Sequence, residues 1–159
     1  MQIAWIGTGI MGAPTARRLL RAGHNVTGFN RTRTRAQALE GDGAVVTDSP
    51  AQAVSGAEVI FTMVPDTPDV EAVIEQIAPA LGPGRLVIDM STIAPAGAKR
   101  IAERLGETGT KFLDAPVSGG EPGAIEGTLT IIVGGGSKEF VRARPFSSNS
   151  ASGLLTWDQ

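Results

Sequence analysis

Short apolar runs alternate with longer amphipathic segments along this chain. The apolar runs predict strands over residues 2–6, 25–29, 44–46, 58–64, 85–89, 111–114 and 128–133. The segments between them predict helices over residues 11–21, 33–39, 50–54, 70–78 and 95–105. Strands that alternate with helices favour right-handed crossovers and a parallel sheet. Because the strands are apolar throughout, we expect helices on both faces, which makes the fold α/β, doubly wound and mainly parallel.

A glycine-rich turn joins the first strand to the first helix, and its sequence is Gly7-Thr8-Gly9-Ile10-Met11-Gly12. In this setting Gly7 permits the tight turn, Gly9 lets the backbone approach a pyrophosphate, and Gly12 lets the helix pack on the strand. The start of the helix offers N–H groups and a positive dipole end to phosphate. The alternative is a glycine-rich turn without a ligand. The motif and its position predict a dinucleotide-binding Rossmann domain.

The end of the second strand indicates which dinucleotide is bound. An NAD site usually carries Asp or Glu there to bind the ribose 2′-hydroxyl. This chain has Asn30, followed by Arg31 and Thr32. Asn30 lacks a charge that would repel a 2′-phosphate, Arg31 supplies a charged planar donor, and Thr32 supplies a hydroxyl. The alternative is a solvated basic face at the start of a helix. We expect NADP, with NAD less favoured.

Composition and charge exclude several other classes of protein. The chain has 159 residues with a formal net charge of −2, so it lacks a basic surface for nucleic acid. It contains no Cys, and its one His, His24, cannot form a metal cluster by itself. No apolar run approaches the roughly 20 residues that span a bilayer. We therefore expect a cytoplasmic protein without a metal site.

A second candidate site follows the predicted strand 111–114. Ser118, Gly119 and Gly120 lie at the carboxyl end of that strand, where open α/β sheets bind ligands. A hydroxyl and the exposed backbone N–H groups of two glycines suit a carboxylate or hydroxy-acid head group. A simple turn is an equally reasonable interpretation of these three residues alone.

Several longer stretches resemble the β-hydroxyacid dehydrogenase family, which includes 3-hydroxyisobutyrate dehydrogenase and 2-hydroxy-3-oxopropionate (tartronate semialdehyde) reductase. They are IAWIGTGIMGAPTARRLLRAGH (3–24), FNRT (29–32), FTMVPD (61–66), IDMSTIAP (88–95) and DAPVSGGEPGAIEGTLTIIVGGG (114–136). Within the last, GEPGAIEGTL most resembles the tartronate semialdehyde reductase branch. Imine reductases share the turn and the NRT, but the SGG distinguishes this chain from them. The resemblance covers about residues 1–146.

The resemblance implies hydride transfer between NADP(H) and a small 3-hydroxy acid or its semialdehyde. By position, the turn from Gly7 to Gly12 would hold the pyrophosphate, and Asn30, Arg31 and Thr32 would flank the adenosine ribose. The remaining assignments are Met63, Val64 and Pro65 on the adenosine side, Thr92 near the nicotinamide half, and Ser118, Gly119 and Gly120 at the substrate. Alternatively, Met63, Val64 and Thr92 merely end strands.

The family's catalytic lysine has no counterpart in this sequence. It lies well after the SGG segment, on a helix that leads into an all-helical second domain, and its position falls beyond Gln159. Lys99, Lys111 and Lys138 do not match its motif. We expect a truncated domain with little activity of its own and no catalytic residue. A non-catalytic NADP-binding module and a poorly folding product are the alternatives, and a homo-oligomer is possible.

Residues 147–159 do not resemble the family and are polar and unpatterned. Residues 147–159 can be encoded by a set of codons that gives a different peptide when one base is added in front and the reading frame shifts. That peptide is Leu-Glu-Gln-Phe-Gly-Lys-Arg-Ile-Thr-His-Met-Gly-Pro, and it resembles the family's continuation. We therefore expect a single-base deletion just after the codon of Phe146, in the gene or its record. A natural short protein is the alternative. Resequencing decides, because a stop directly after Gln159 in every clone, with no frame continuing beyond it, contradicts the deletion.

Overall fold

The apolar runs form the central sheet of the molecule, and the amphipathic segments form its helices. The computed structural model describes residues 1–147 and 151–157, with side chains described for residues 1–146. The strands are β1 (Gln2–Ile6), β2 (Asn25–Phe29), β3 (Val45–Val46), β4 (Val59–Thr62), β5 (Leu86–Asp89), β6 (Lys111–Asp114), β7 (Val117–Ser118), β8 (Leu129–Gly135) and β9 (Ala151–Trp157). The α-helices are α1 (Gly12–Arg21), α2 (Arg33–Gln37), α3 (Pro50–Val54), α4 (Thr67–Ile77), α5 (Pro95–Gly106), α6 (Gly120–Glu126) and α7 (Ser137–Ser147).

Among the described residues, the strands form one sheet in the order β3-β2-β1-β4-β5-β6-β8-β7, with β9 also paired to β8. The strands from β3 to β6 are parallel, and β8 runs antiparallel to β6 and β7. The predicted α/β class and mainly parallel sheet are confirmed. Strand order reverses between β1 and β4, and ligands of doubly wound sheets bind in the crevice at such a switch point.

Two apolar cores cover the two faces of the sheet. One contains Trp5, Leu19 and Phe61, with Phe146 packed edge-on against Phe61 at a ring separation of 5.6 Å. The other contains side chains of β4 and β5 together with those of α4 and α5. Every residue of β4 and β5 is buried, as expected for strands with helices on both faces.

Side-chain caps mark the starts of α3 and α4. The Ser49 side chain caps α3 by accepting from the Gln52 N–H at 3.2 Å. The Asp66 carboxylate caps α4 by accepting from the Asp69 N–H at 3.0 Å, so α4 begins at Thr67 rather than at the predicted residue 70. The sequence analysis did not predict β7, α6 or α7.

The tail also differs from its prediction. The sequence predicts no regular element after Phe146, whereas Ala151–Trp157 forms β9, parallel to β8. Backbone pairing along β8 forms this strand and needs no alternation of apolar and polar residues in β9. Residues 148–150 and 158–159 lie outside the described residues. The domain boundary at residue 146 and the deletion stay predictions.

Candidate functional site

The glycine-rich turn has the backbone geometry that its sequence predicts. Gly7 has a φ of +100°, and its N–H donates to the Phe29 carbonyl at 2.9 Å. A Cβ on Gly7 would collide with the Met63 carbonyl, and one on Gly12 would collide with the Gly7 carbonyl. In contrast, a Cβ on Gly9 would meet nothing within 4 Å. The turn therefore requires glycine for its fold at Gly7 and Gly12, and it leaves open space above Gly9.

Asn30 ties this turn to the end of β2. Its Oδ1 accepts from the Thr8 N–H at 2.9 Å, and its Nδ2 donates to the Thr32 carbonyl at 3.0 Å. An aspartate here could accept from Thr8, but it would have no N–H for Thr32. Asn30 thus orders both segments and adds no negative charge at this position.

A cleft of about 380 Å³ opens at the carboxyl ends of β1, β2 and β4. It is lined by eight of the residues predicted for the cofactor, which are Gly7, Gly9, Asn30, Arg31, Thr32, Met63, Val64 and Pro65. The fold therefore brings the glycine-rich turn, the end of β2 and the segment after β4 to one place, at the switch point between β1 and β4.

The cleft also contains two charged residues that the sequence analysis missed, Arg35 and Asp69. Arg35 lies in α2, four residues after Arg31, so the repeated arginines of the segment NRTRTR were the available signal. The Asp69 carboxylate pairs with the exposed Arg31 guanidinium at 3.3 Å. No local pattern predicts that pair, because 38 residues separate its members.

The other predicted cofactor residues do not line this cleft. Thr8 is buried, Met11 precedes α1 and is half-buried, Gly12 packs against Gly7, and Ile10 is 71% exposed. Thr92 is exposed and follows β5, beyond β4 in the sheet order. These positions surround the turn or lie farther along the same edge of the sheet.

The last residues of three neighbouring strands form a polar row that the sequence analysis missed, buried at Thr62 and Asp89 and half-buried at Asp114. Thr62, Asp89 and Asp114 are register partners across β4, β5 and β6. Burial raises the pKa of Asp89, although hydrogen bonds from Ser91 and Thr62 oppose that rise. Burial, with a contribution from Asp89, raises the pKa of Asp114 to about 6. The signal in the sequence was an aspartate that directly follows apolar residues at the end of each strand, in LVID and KFLD.

The predicted substrate segment lies at the opposite side of the sheet from β3. Ser118 ends β7, and Gly119 and Gly120, with φ values of +133° and +60°, lead into α6. All three are exposed, and none lines the cleft described above. Arg18 of α1 donates to the Ile125 carbonyl of α6 at 3.2 Å, which holds this segment beside the helix that follows the glycine-rich turn.

Comparison with known sequences identifies the family. The profile of the family described as the NAD binding domain of 6-phosphogluconate dehydrogenase matches residues 2–157. The chain belongs to this family. It is 45% identical over 150 residues to 2-hydroxy-3-oxopropionate reductase of Escherichia coli K12, covering 91% of this chain and 50% of that protein. It is 42% identical over 147 residues to an NAD-dependent L-serine dehydrogenase of Pseudomonas aeruginosa, covering 91% and 49%.

Solved structures give the same result for the fold. Mycobacterium tuberculosis 3-hydroxyisobutyrate dehydrogenase with L-serine superposes with a TM-score of 0.96 at 37% identity, covering 99% of this chain and 54% of that one. Psf3 in complex with NADP+ and 2-OPP superposes with a TM-score of 0.90 at 30% identity, covering 99% and 57%. The resemblance to β-hydroxyacid dehydrogenases is confirmed, and the chain spans about half the length of the curated relatives it matches.

Two further features concern the residues that the structure describes. None of the helices they form is both long enough and apolar enough to cross a membrane. Within the same residues, no three His, Asp or Glu side chains lie together in a group that could hold a metal ion.

Proposed function

We propose that this chain binds NADP(H) in preference to NAD(H), as the nucleotide domain of an oxidoreductase that acts on small 3-hydroxy acids or their semialdehydes. The observation that carries the proposal is the adenosine end of the cleft, where Arg31, Thr32 and Arg35 line the wall and Asn30 replaces the acid of an NAD site.

The charges in the cleft favour a ligand with a 2′-phosphate. Two guanidinium groups, Arg31 and Arg35, face one carboxylate, Asp69. The pair between Arg31 and Asp69 is exposed, and exposed ion pairs contribute only about 0–1 kcal/mol. A phosphate can instead form bidentate, charge-assisted bonds with arginine, each worth about 1.5–3 kcal/mol. Arg31 therefore gains more from a 2′-phosphate than it loses on leaving Asp69.

The glycine-rich turn from Gly7 to Gly12 fits a pyrophosphate for separate reasons. The space above Gly9 admits a ligand to the backbone, and α1 begins without a side-chain cap and without an acidic residue in its first turn. The helix start thus presents its positive dipole end without a competing carboxylate. In this assignment Met63, Val64 and Pro65 contact the adenosine side of the cofactor, as the resemblance implies.

We assign the substrate to Ser118, Gly119 and Gly120, whose hydroxyl and backbone N–H groups suit a carboxylate, and the nicotinamide half to the neighbourhood of Thr92. Bound NADP(H) supplies or accepts the hydride. The substrate class follows the names of the relatives, a 2-hydroxy-3-oxopropionate reductase and a 3-hydroxyisobutyrate dehydrogenase.

Proton transfer is the step that this chain supports least. Its lysines, Lys99, Lys111 and Lys138, are all exposed, and none lines the cleft. General acid–base catalysis needs a group within hydrogen-bond reach of the substrate oxygen. We infer that the chain by itself binds NADP(H) and turns over slowly or not at all, which also favours the second candidate function, a non-catalytic NADP-binding module.

Thermal unfolding with and without nucleotide, followed by a turnover assay, tests this proposal. NADPH at about 100 times its Kd adds about 2.7 kcal/mol to the free energy of unfolding. That raises the Tm by about 5–10 °C for a domain of this size. No rise in Tm with NADPH contradicts a folded NADP site. Oxidation of NADPH by tartronate semialdehyde at a rate typical of enzymes contradicts the inference about the missing proton donor.

A further inference from the structure

The carboxyl group of Asp89 is the centre of a buried hydrogen-bond network beside the cleft. Asp89 is fully buried, and its Oδ1 accepts three hydrogen bonds. The donors are Thr62 Oγ1 at 2.7 Å, Ser91 Oγ at 2.6 Å and the Ser91 N–H at 3.1 Å. The two hydroxyl distances match those of charge-assisted O–H···O bonds. This one oxygen therefore joins the end of β4 to the turn that follows β5.

Ser91 extends the network to the wall of the cleft. Its hydroxyl donates to Asp89 and accepts from the Val64 N–H at 3.0 Å. Val64 is the middle residue of the segment Met63–Pro65, which lines the cleft. Ser91 itself directly precedes Thr92, the residue assigned to the nicotinamide half. The network thus reaches both cofactor-facing segments, although none of Thr62, Asp89 and Ser91 lines the cleft.

Another hydrogen bond joins the same two loops at a different point. The Thr67 hydroxyl accepts from the Ala94 N–H at 3.0 Å, which links the start of α4 to the residue before α5. That bond fixes the two helix starts relative to each other. It involves neither residues 63–65 nor Ser91. The Met63 N–H donates to the Ile6 carbonyl at 2.9 Å, whereas the Val64 N–H donates to Ser91 and so depends on the network around Asp89.

We propose that Asp89 is a positioning residue that holds the Met63–Pro65 segment and the Ser91–Thr92 turn in the geometry that binds the cofactor. The proposal rests on the proposed function of the cleft. It assigns Asp89 no contact with the cofactor. Ser91 transmits the effect, because its hydroxyl links the Asp89 carboxylate to the Val64 backbone.

Three substitutions and one matched control test the assignment. Ser91→Ala removes the acceptor of the Val64 N–H, and Asp89→Ala removes the oxygen on which the donors converge. Asp89→Asn keeps an oxygen acceptor of the same shape and should restore part of the effect. The control is Thr110→Val, because the Thr110 hydroxyl is also buried and hydrogen-bonded, to the Gly82 carbonyl at 3.2 Å and to the Thr108 hydroxyl at 2.7 Å. Thr110 directly precedes β6, at the amino ends of the strands and away from the cleft.

The first readout is the Kd for NADPH at a temperature where every variant is folded. We expect Ser91→Ala to raise the Kd about tenfold, which corresponds to the loss of roughly one hydrogen bond to a charged group. Asp89→Ala should raise it at least as much, Asp89→Asn less, and Thr110→Val less than twofold. Equal Kd values for Ser91→Ala and wild type overturn the proposal. An increase in Kd in Thr110→Val as large as that in Ser91→Ala overturns it as well.

The second readout is amide hydrogen exchange of the nucleotide-free protein, which does not depend on the cofactor. Ser91→Ala should speed exchange at Val64 while Thr110→Val leaves it unchanged. Unchanged exchange at Val64 in Ser91→Ala overturns the positioning role. If the wild-type chain binds neither NADPH nor NADH, the proposed function fails, and exchange at Val64 alone then decides whether Asp89 and Ser91 order this segment.

Discussion

Two glycines of one turn should respond in opposite ways to the same substitution. Gly9→Ala places a methyl group in open space, because a Cβ there meets no atom within 4 Å. Gly12→Ala drives a methyl group into the Gly7 carbonyl, which is backbone and cannot rotate away. We therefore expect the first substitution to affect binding and the second to affect folding.

The magnitudes follow from these surroundings. Gly9 has no positive φ, so an alanine there is unstrained and changes the free energy of unfolding by less than about 1 kcal/mol. Its methyl group occupies the space through which the pyrophosphate approaches, so the Kd for NADPH should rise at least about tenfold. Overpacking at Gly12 costs about 1–3 kcal/mol, which lowers the Tm by roughly 2–12 °C.

Urea unfolding without nucleotide and fluorescence titration with NADPH measure the two effects separately. Gly9→Ala should unfold at the same urea concentration as wild type and bind NADPH poorly. Gly12→Ala should unfold at lower urea, and its lost binding should follow its lost structure. The reasoning is refuted if Gly9→Ala binds NADPH as tightly as wild type, or if Gly12→Ala is as stable as wild type.

Three further predictions concern charge and packing. Burial raises the pKa of Asp114 to about 6 from an unfolded value near 3.9, so the native state holds this proton more tightly and stability falls as pH rises from about 4 to 6. In urea unfolding, the free energy of unfolding of Asp114→Asn should fall by about 1–3 kcal/mol less than that of wild type between pH 4 and pH 7. The same pH dependence of stability in both proteins would contradict the assignment. Arg31→Ala should raise the Kd for NADPH about tenfold and leave that for NADH within about twofold in calorimetry, whereas an equal loss for both would argue against a 2′-phosphate contact. Phe61→Ala should cost about 3–5 kcal/mol in urea unfolding, because the ring is buried between Trp5 and Phe146, and a cost below about 1 kcal/mol would show that the core repacks.

The elements that the sequence predicted well are those whose signal is local. Strands β1, β4 and β5 are buried on both faces and therefore read as continuous apolar runs. The glycine turn was recognisable because its three glycines lie within six consecutive residues, between a strand and a helix. Asn30 was also predicted from position alone, although its bonds to Thr8 and Thr32 required the structure.

The features that the sequence did not predict depend on contacts between distant residues. Thr62 and Asp89 lie 27 residues apart and meet only because β4 and β5 pair in register. Arg31 and Asp69 lie 38 residues apart, and the fold brings them together in the wall of the cleft. Strand β9 forms through backbone pairing with β8, which leaves no alternation in the sequence to detect.

We propose that the cleft prefers a 2′-phosphorylated dinucleotide, and calorimetric titration of the wild-type chain with NADPH and NADH tests this preference most directly. Asn30 in place of an acid, together with Arg31 and Arg35 in the cleft wall, predicts that NADPH binds at least about tenfold more tightly than NADH. The preference should shrink as salt is added, because it is electrostatic. Equal affinities, or tighter binding of NADH, would contradict the account.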